Sequence, residues 1–401
     1  MPNLAPQGQQ DFNTGSGRSR APRVELVLEG ERVLLAERYQ VKLAFLTQPA
    51  AFSLTLGTGD DLAKLIADTL PNDRFQLRIN GRTVMTGYLD GVSSRGTTGV
   101  LTVEGRDALA PLHDACLLQE QSFKDDTYAQ LVRKVMDGSG LKDTKLVFSN
   151  RANRLAIAGR ASQRKDPRSV EALRLSGGAG GGVKKHVQAQ LGEKGYEFCK
   201  RHLDRGGLFL WAGADGQFIL SEPNPDQAPL YRLHRSAGSA PEFSTEIIDH
   251  AFENRTAGRF SEIHVYTRGE TKKAGRSKTV EVVKDTEMLS WGFNRPMVLR
   301  DVDADTPQKA AFMGRRKMAE SRRAGWKLSY TVAGHVTGSP IQGAGLVTWA
   351  PDTLCEVEDR RLGIDGVFWV ESVTFSGAPQ ATTQIELMRV QDLIFGEGQK
   401  T

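Results

Sequence analysis

Short runs in which apolar and polar residues alternate dominate the first hundred residues, and this pattern predicts half-buried β-strands. A hairpin is predicted around Gly30, and a second one around Asn80-Gly81, the dipeptide that most strongly favours a two-residue hairpin turn. We therefore expect residues 24–105 to be mainly antiparallel β, with one short helix near 61–69. The predicted strands are 24–28, 32–35, 39–45, 75–79, 84–89 and 99–105.

The hydrophobic period lengthens in the middle of the chain. Apolar residues spaced i, i+3, i+4 and i+7 from Tyr128 predict a helix that ends at Gly138. A second helix is predicted over 193–204, and Asp215-Gly216 then joins two apolar runs as a hairpin. The segment therefore combines helices and strands.

The β pattern returns from 247 onward, interrupted by a helix that is predicted to begin at Thr306-Pro307 and end at Gly325. Two stretches, 87–109 and 368–393, share an order of features: a strand, a Val-Ser pair, a Gly-containing turn, an alternating strand and an Asp near a final Leu. Two unrelated hairpins are one explanation of this similarity, and an internal duplication is the other.

The duplication predicts that residues 24–113 and about 246–395 are two copies of one antiparallel barrel-like unit. Strand 101–104 should then take the place of 385–388, with alternate side chains in the core. Those core side chains are Leu101, Val103, Ile385 and Leu387.

Amino-acid composition limits the possible partners and predicts many turns, but it indicates no catalytic or binding site. The 401 residues include 42 glycines, which suits many tight turns, and the net charge of +5 permits an anionic partner without requiring one. The first 19 residues lack the apolar segment of a secretory signal and predict a disordered arm.

No motif in the sequence supports catalysis. The glycine run 177–182 has Val183 where a phosphate-binding loop needs Lys, and the acidic run 301–305 has Thr306 and Phe312 where a calcium loop needs Gly and Glu. We expect no catalytic, cofactor-binding or metal-binding residue and no small-molecule substrate. One sequence leaves open a Ser-His-Asp triad built from distant loops.

Two basic runs offer an alternative function, which is nucleic-acid binding through phosphate contacts. The competing interpretation is a solvated face or a protein interface, and the first run has no interleaved aromatic residues for base stacking. The runs comprise Arg151, Arg154, Arg160, Arg164, Lys165 and Arg168, and then Arg315, Arg316, Lys317, Arg322 and Arg323.

Four stretches, taken together, resemble the baseplate hub proteins of contractile-tailed phages, the Mu-like hub and late control protein D family. The first holds VELVLEGERVLLAERYQVKLAF, FQLRINGRTVMTGYLDGV and LTVEGRDALAPL, and Gly105-Arg106-Asp107 is its most recognisable point. The second is GEKGYEFCKRHLDRGGLFLWAGADGQFIL, with its Asp215-Gly216 hairpin. FSEIHVYTRGE and the segment from KAAFMGRRKMAESRRAG to ELMRVQDL complete the series, whereas 150–185 matches nothing in the family.

The resemblance implies a mainly β fold with an α+β middle domain, in which two tail-tube-like antiparallel β-barrel domains flank a small α/β domain. It also implies a homotrimeric ring that adapts the six-fold tail tube to the three-fold central spike and encloses the DNA channel. The partners would be the spike, the tail tube, other baseplate proteins and phage DNA passing without sequence recognition. The resemblance places the protein in the baseplate of the virion tail, which is assembled in the bacterial host cytoplasm. Hub proteins of the family have no catalytic residues that could be assigned to this sequence.

We accordingly divide the chain into four segments and expect Arg106 and Asp107 to pair with each other at the exit of their strand, with a surface role as the alternative. The segments are a disordered arm (1–22), a first barrel (23–113), a middle domain (114–245) with a Gly/Arg-rich loop (150–185), and a second barrel (246–401).

Overall fold

The computed structural model describes most of the chain. The arm 1–19, the predicted helix 61–69, the loop 150–185 with its glycine run, and the acidic run 301–305 lie outside the described residues. The described residues are 22–28, 32–46, 49–56, 73–95, 100–118, 122–123, 128–148, 187–223, 225–235, 240–267, 278–300, 307–341, 343–378 and 380–393.

The first six strands close into an antiparallel barrel in the order β1-β4-β5-β6-β3-β2 and back to β1. Asn80 and Gly81 both have positive φ, as a type I′ hairpin turn requires. The two runs 32–35 and 39–45 form one continuous strand rather than the two strands predicted. The strands are β1 (Val24–Leu28), β2 (Arg32–Ala44), β3 (Ala51–Leu56), β4 (Arg74–Ile79), β5 (Arg82–Arg95) and β6 (Val100–Asp107).

The middle of the chain forms a small α/β unit around its own buried cluster. Both predicted helices are present, and Gly207 ends the second with a φ of 67°. Their apolar faces pack with a three-stranded sheet in the order β10-β11-β8. The elements are α1 (Ala110–Asp114), β7 (Ser122–Phe123), α2 (Tyr128–Gly138), β8 (Leu146–Phe148), β9 (Val187–Gln188), α3 (Gly195–Gly206), β10 (Phe209–Ala212) and β11 (Phe218–Ser221).

The last part of the chain closes a second six-stranded barrel in the order β12-β13-β17-β22-β21-β20 and back to β12. Its elements and those within its connections are β12 (Tyr231–Arg235), β13 (Thr245–Asn254), β14 (Glu262–Thr267), β15 (Lys278–Lys284), α4 (Thr286–Ser290), β16 (Pro296–Arg300), α5 (Pro307–Gly325), β17 (Trp326–Ala333), β18 (Val336–Ser339), β19 (Gly343–Thr348), β20 (Leu354–Asp359), β21 (Ile364–Gly377) and β22 (Ala381–Arg389).

A second α/β unit is inserted between β13 and β17. Its sheet has the order β15-β14-β16, and the predicted helix, α5, packs on it. Ile263, Val265, Ala310 and Met318 form a hydrophobic cluster separate from that of the barrels. The insertion therefore carries its own small core.

Both barrels follow the same path. Numbered in chain order within each barrel, the strands are arranged 1-2-3-6-5-4 in both rings, so the predicted common strand order is confirmed. One strand differs in direction: β12 runs parallel to both of its neighbours, whereas β1 is antiparallel to both. A short hairpin joins β1 to β2, but residues 236–244 join β12 to β13, and parallel pairing requires such a longer crossover.

The position of β12 bears on the division into domains. The sequence-based limit at 245 assigned residues 231–235 to the middle domain, whereas their hydrogen bonds place them in the second barrel. The prolines around 223–241 predict a linker, but the five-residue strand β12 lies between them. The other domain limits stay predictions.

Two β-bulges recur at equivalent points of the barrels. The register shifts between Ala36 and Arg38 on β2 and between Ile247 and Asp249 on β13. It shifts again between Leu89 and Gly91 on β5 and between Val370 and Ser372 on β21. A bulge adds one residue to one strand and bends it, so these shifts mark equivalent residues in the two copies.

The bulges also align the sixth strands of the barrels. Glu104 on β6 pairs with Gly91, the first residue after the bulge of β5, and Glu386 on β22 pairs with Ser372, the first residue after the bulge of β21. On its other side, each glutamate lies opposite a serine of the third strand of its barrel. Strand 101–104 therefore corresponds to 383–386, two residues earlier than the predicted 385–388. A shift of two keeps every side chain on its face. The predicted core positions Leu101, Val103, Ile385 and Leu387 are buried.

Candidate assembly interface

The two barrels are joined directly by antiparallel pairing of β2 with β21. Residues 39–44 pair with 377–372, beyond the segments that pair within each barrel. Val41 and Phe375 lie opposite each other in this junction, and both side chains are fully buried. The junction merges the cores of the barrels into one hydrophobic cluster.

Tyr39 strengthens this junction. Its ring lies over Gly377, where a Cβ would approach within 2.1 Å of the ring. Its hydroxyl is 2.7 Å from Nε2 of His335 in the second barrel. Burial lowers the pKa of His335 to about 4, so the imidazole is neutral at physiological pH. The contact is therefore a neutral hydrogen bond.

The equivalent segments of the other two strands, β13 and β5, have no partner along that edge among the described strands. On β13, residues 245–246 pair with β12, and no described strand continues along that edge beside 247–254. On β5, pairing with β4 ends at Tyr88, the backbone N–H of Leu89 donates to the carbonyl of Asp73 (2.9 Å), and no described strand pairs with that edge beyond it. Ile248 and Phe252 on β13 are 57% and 43% exposed.

Arg106 and Asp107 both fix the exit of β6, but they do not pair with each other as predicted. Arg106 donates hydrogen bonds to both oxygens of Asp90 (2.6 and 2.7 Å) and of Asp114 (2.6 and 2.9 Å). It thereby links β5, β6 and α1. Consecutive residues of a strand point to opposite faces, which separates the two side chains.

Asp107 points inward and is buried. Its Oδ2 accepts a hydrogen bond from the backbone N–H of Ala50 (2.9 Å), and its Oδ1 accepts one from that of Leu109 (2.9 Å). Burial raises the pKa of Asp107 to about 7, although the two hydrogen bonds oppose the increase. Gly105 precedes Arg106 and Asp107. A Cβ at this position would lie 2.8 Å from the Phe52 ring, so no larger residue fits.

The Asp215-Gly216 turn connects the middle domain with the first barrel. Gly216 has a φ of 80°, and Asp215 Oδ1 accepts a hydrogen bond from the backbone N–H of Gln217 (3.1 Å). The neighbouring carbonyl of Ala214 accepts a hydrogen bond from the hydroxyl of Thr86 on β5 (2.7 Å). The predicted hairpin is thus also a docking contact.

Four of the basic residues of α5 are bound to acceptors within the chain. Arg316 forms an ion pair with Asp204 of the middle domain (2.6 Å), and Lys317 forms one with Glu320 (2.9 Å). Arg322 binds Asp285, and Arg323 donates to the carbonyl of Asp392. These contacts favour the interpretation of this run as an internal interface over phosphate binding. The other basic run, 151–168, lies outside the described residues.

A buried ion network anchors the insertion. The Arg259 side chain is fully buried and donates to Asp285 (2.9 Å) and to Glu287 (2.6 Å). Burial raises the pKa of Asp285, but hydrogen bonds from Arg322 and Arg259 outweigh it and hold the pKa below its usual range. Arg389, at the end of β22, lies 3.5 Å from Glu287 and so connects this network to the second barrel.

The contacts of these surfaces are backbone pairing, side-chain hydrogen bonds and ion pairs. Within the described ranges, no cluster of three His, Cys, Asp or Glu side chains is arranged to hold a metal ion. Among the described helices, none has the length and apolar character needed to cross a bilayer.

The pattern of apolar and polar residues does not predict the two open edges. Ile247-Ile248 breaks the alternation of β13, and this break, which coincides with the bulge, was the available signal. The family-pattern residues Gly105, Arg106, Asp107, Asp215 and Gly216 all lie at turns and contacts of the first barrel; their status as a family pattern stays a prediction.

No protein-family profile matches the chain, and no curated protein matches it. Solved structures do. The tail protein from Neisseria meningitidis MC58 is 20% identical, with 93% of this chain and 99% of that chain covered and a TM-score of 0.69. The 43 kDa tail protein of prophage MuSo2 from Shewanella oneidensis is 19% identical, with 93% and 100% covered and a TM-score of 0.68.

A third solved structure, prophage tail protein gp18 from Listeria monocytogenes EGD-e, is 10% identical, with 91% of this chain and 94% of that chain covered and a TM-score of 0.53. In all three, the similarity extends over nearly the whole of both chains. The chain therefore has the fold of these tail proteins.

Proposed function

We propose that this protein is the structural baseplate hub of a contractile phage tail. Three copies would form a ring that adapts the six-fold tail tube to the three-fold central spike and encloses the channel through which DNA passes. The partners would be the spike, the tube and other baseplate proteins. The place of action would be the virion, after assembly in the host cytoplasm.

The observation that carries this proposal is the pair of closed barrels with one strand order in a single chain. Three chains would supply six similar barrels, which is the number needed to match a six-fold ring while keeping three-fold symmetry. The fold shared with these tail proteins supports the same assignment. We assign no catalytic role, because the contacts of the conspicuous side chains are those of a scaffold.

The mass of the protein in solution tests this proposal. Light scattering over a wide concentration range should report three times the mass of the chain, and class averages from electron microscopy should show six similar lobes around a central opening. A monomer at every concentration, or a ring of another number, would count against the proposal. Binding of DNA with a steep salt dependence in a gel-shift assay would favour the nucleic-acid alternative.

A further inference from the structure

The junction within the chain implies a second junction between chains. We infer that the open edge of β13 pairs with the open edge of β5 from a neighbouring copy, repeating between subunits the β2–β21 junction within each. The inference rests on the proposed function, because a closed ring of three chains requires three such contacts.

The equivalence of strands specifies which edges must meet. Within the chain, the second strand of the first barrel (β2) pairs with the fifth strand of the second barrel (β21). Going around the ring, the next junction would join the second strand of the second barrel to the fifth strand of the first. Those strands are β13 and β5, the two strands of the barrels along which part of one edge has no partner among the described strands.

The bulges set the register of this contact. They make Val41 equivalent to Phe252 on the second strands, and Phe375 equivalent to Ser94 on the fifth strands. Because Val41 lies opposite Phe375, Phe252 should lie opposite Ser94 of the neighbour, and Glu253 opposite its Ser93. The strands have room for this pairing, because β5 and β21 are both 14 residues long.

The exposure of Phe252 is that expected of a contact surface that a neighbouring copy would cover. Val41 is fully buried in the junction within the chain, whereas its equivalent Phe252 is 43% exposed. An exposed strand edge with apolar side chains pairs readily with another chain unless it is blocked. β5 of a neighbouring copy would cover Phe252. The side chains that it brings to the contact, Ser93 and Ser94, are smaller and polar.

Disulfide trapping in the full chain tests the pairing and its register. The exposed native cysteine is first removed with Cys116→Ser, and Cys199 and Cys355 are buried. Phe252→Cys with Ser94→Cys, and separately Glu253→Cys with Ser93→Cys, would then be oxidised. Both pairs are made because only one of two adjacent antiparallel pairs has the closer Cα spacing. We expect at least one to give covalent trimers on non-reducing gels.

Three controls make the result specific. Phe252→Cys with Ser93→Cys is off register by one residue, places the thiols on opposite faces, and should cross-link at least tenfold more slowly. Each single-cysteine variant should give no covalent trimer on the same non-reducing gels. Lys42→Cys with Thr374→Cys occupies the junction within the chain and should form an intramolecular bond under the same conditions.

The outcomes separate this inference from the proposed function. A trimer by light scattering in which neither in-register pair cross-links, while the 42–374 pair does, would overturn the inference and leave the ring standing. Equal cross-linking of in-register and off-register pairs would overturn the register. A protein that stays monomeric and forms no intermolecular cross-link would overturn both.

Discussion

At the scale of single residues, the sequence located important positions but not their partners. Gly105-Arg106-Asp107 was singled out, and all three residues shape the end of β6. Their partners Asp90, Asp114 and Ala50 come from β5, from α1 and from the residue just before β3, and no local pattern brings those parts together. A side chain's partner depends on the tertiary path, which a pattern of neighbouring residues does not contain.

Asp107 makes a prediction about pH. Its folded pKa of about 7 lies above the unfolded value of about 3.9, so the folded state holds a proton that the unfolded state releases between these pH values. Its contribution to stability is therefore present at low pH and is lost as pH rises through about 7. Relative to Asp107→Asn, the native protein should lose up to a few kcal/mol between pH 5 and pH 8, at about 1.4 kcal/mol per pKa unit.

Urea unfolding at the two pH values measures this difference. Asp114→Asn is the matched control: a hydrogen bond from Arg106 lowers the pKa of Asp114, so that carboxyl is ionised in both states throughout this range. Its effect on stability should not change with pH. If the free energies of unfolding of the native protein and of Asp107→Asn differ by the same amount at pH 5 and pH 8, Asp107 is ionised in the folded state and the prediction is wrong.

At the scale of elements, local turn chemistry was the most reliable predictor. Both Asn80-Gly81 and Asp215-Gly216 form the expected hairpins, because few residues other than glycine adopt the positive φ that these turns need. The pattern divided β2 in two because its bulge interrupts the alternation. The direction of β12 was also beyond the pattern, since alternation is the same for parallel and antiparallel strands.

The equivalence of β6 and β22 predicts matched effects of mutation. Val103→Asp and Ile385→Asp place a carboxylate at the same point of the two barrels, where both native side chains are buried. Each should lower the free energy of unfolding by several kcal/mol, on the order of 3 to 5, because the charge has no partner there. Gln384→Asp, exposed on the same strand, should change it by less than about 0.5 kcal/mol.

Urea titration followed by tryptophan fluorescence gives these values. Similar losses at 103 and 385 would support one architecture for the two barrels. A loss at either position no larger than that of Gln384→Asp would contradict the equivalence of the two strands.

At the scale of the whole molecule, the faint internal repeat was the most informative signal. It predicted two barrels with one strand order, which the structure has, although the register was two residues off. The insertion between β13 and β17 was not separated from the second barrel, because its strands have the same alternation as barrel strands. Whether a strand closes a ring or forms a separate sheet depends on pairing over long distances along the chain.

The second barrel should remain complete without the insertion. The backbone N–H of Arg255 donates to the carbonyl of Gly325 (2.7 Å), so the two ends of the insertion already meet like the ends of a hairpin. Replacing 256–324 by Asn-Gly would join β13 to β17 directly, as a short connection joins β2 to β3. The variant loses the hydrogen bond from Arg323 to the Asp392 carbonyl and the ion pairs of Arg322 with Asp392, Arg316 with Asp204 and Glu287 with Arg389, together on the order of 2 kcal/mol.

We therefore expect the shortened chain to fold, to keep its β-type circular dichroism, and to melt roughly 5 °C lower than the native protein. Its oligomeric state by light scattering should be unchanged, because β5 and the outer edge of β13 lie outside the deleted segment. Arg389 and Asp392 keep their own pair at 2.8 Å, so the cut leaves neither charge alone. Full-length Ile385→Asp, in which the barrel core itself is disrupted, provides the comparison for a failed barrel. A shortened chain that behaves like that variant would mean that the insertion is part of the barrel's core, and the two barrels would then not be equivalent units.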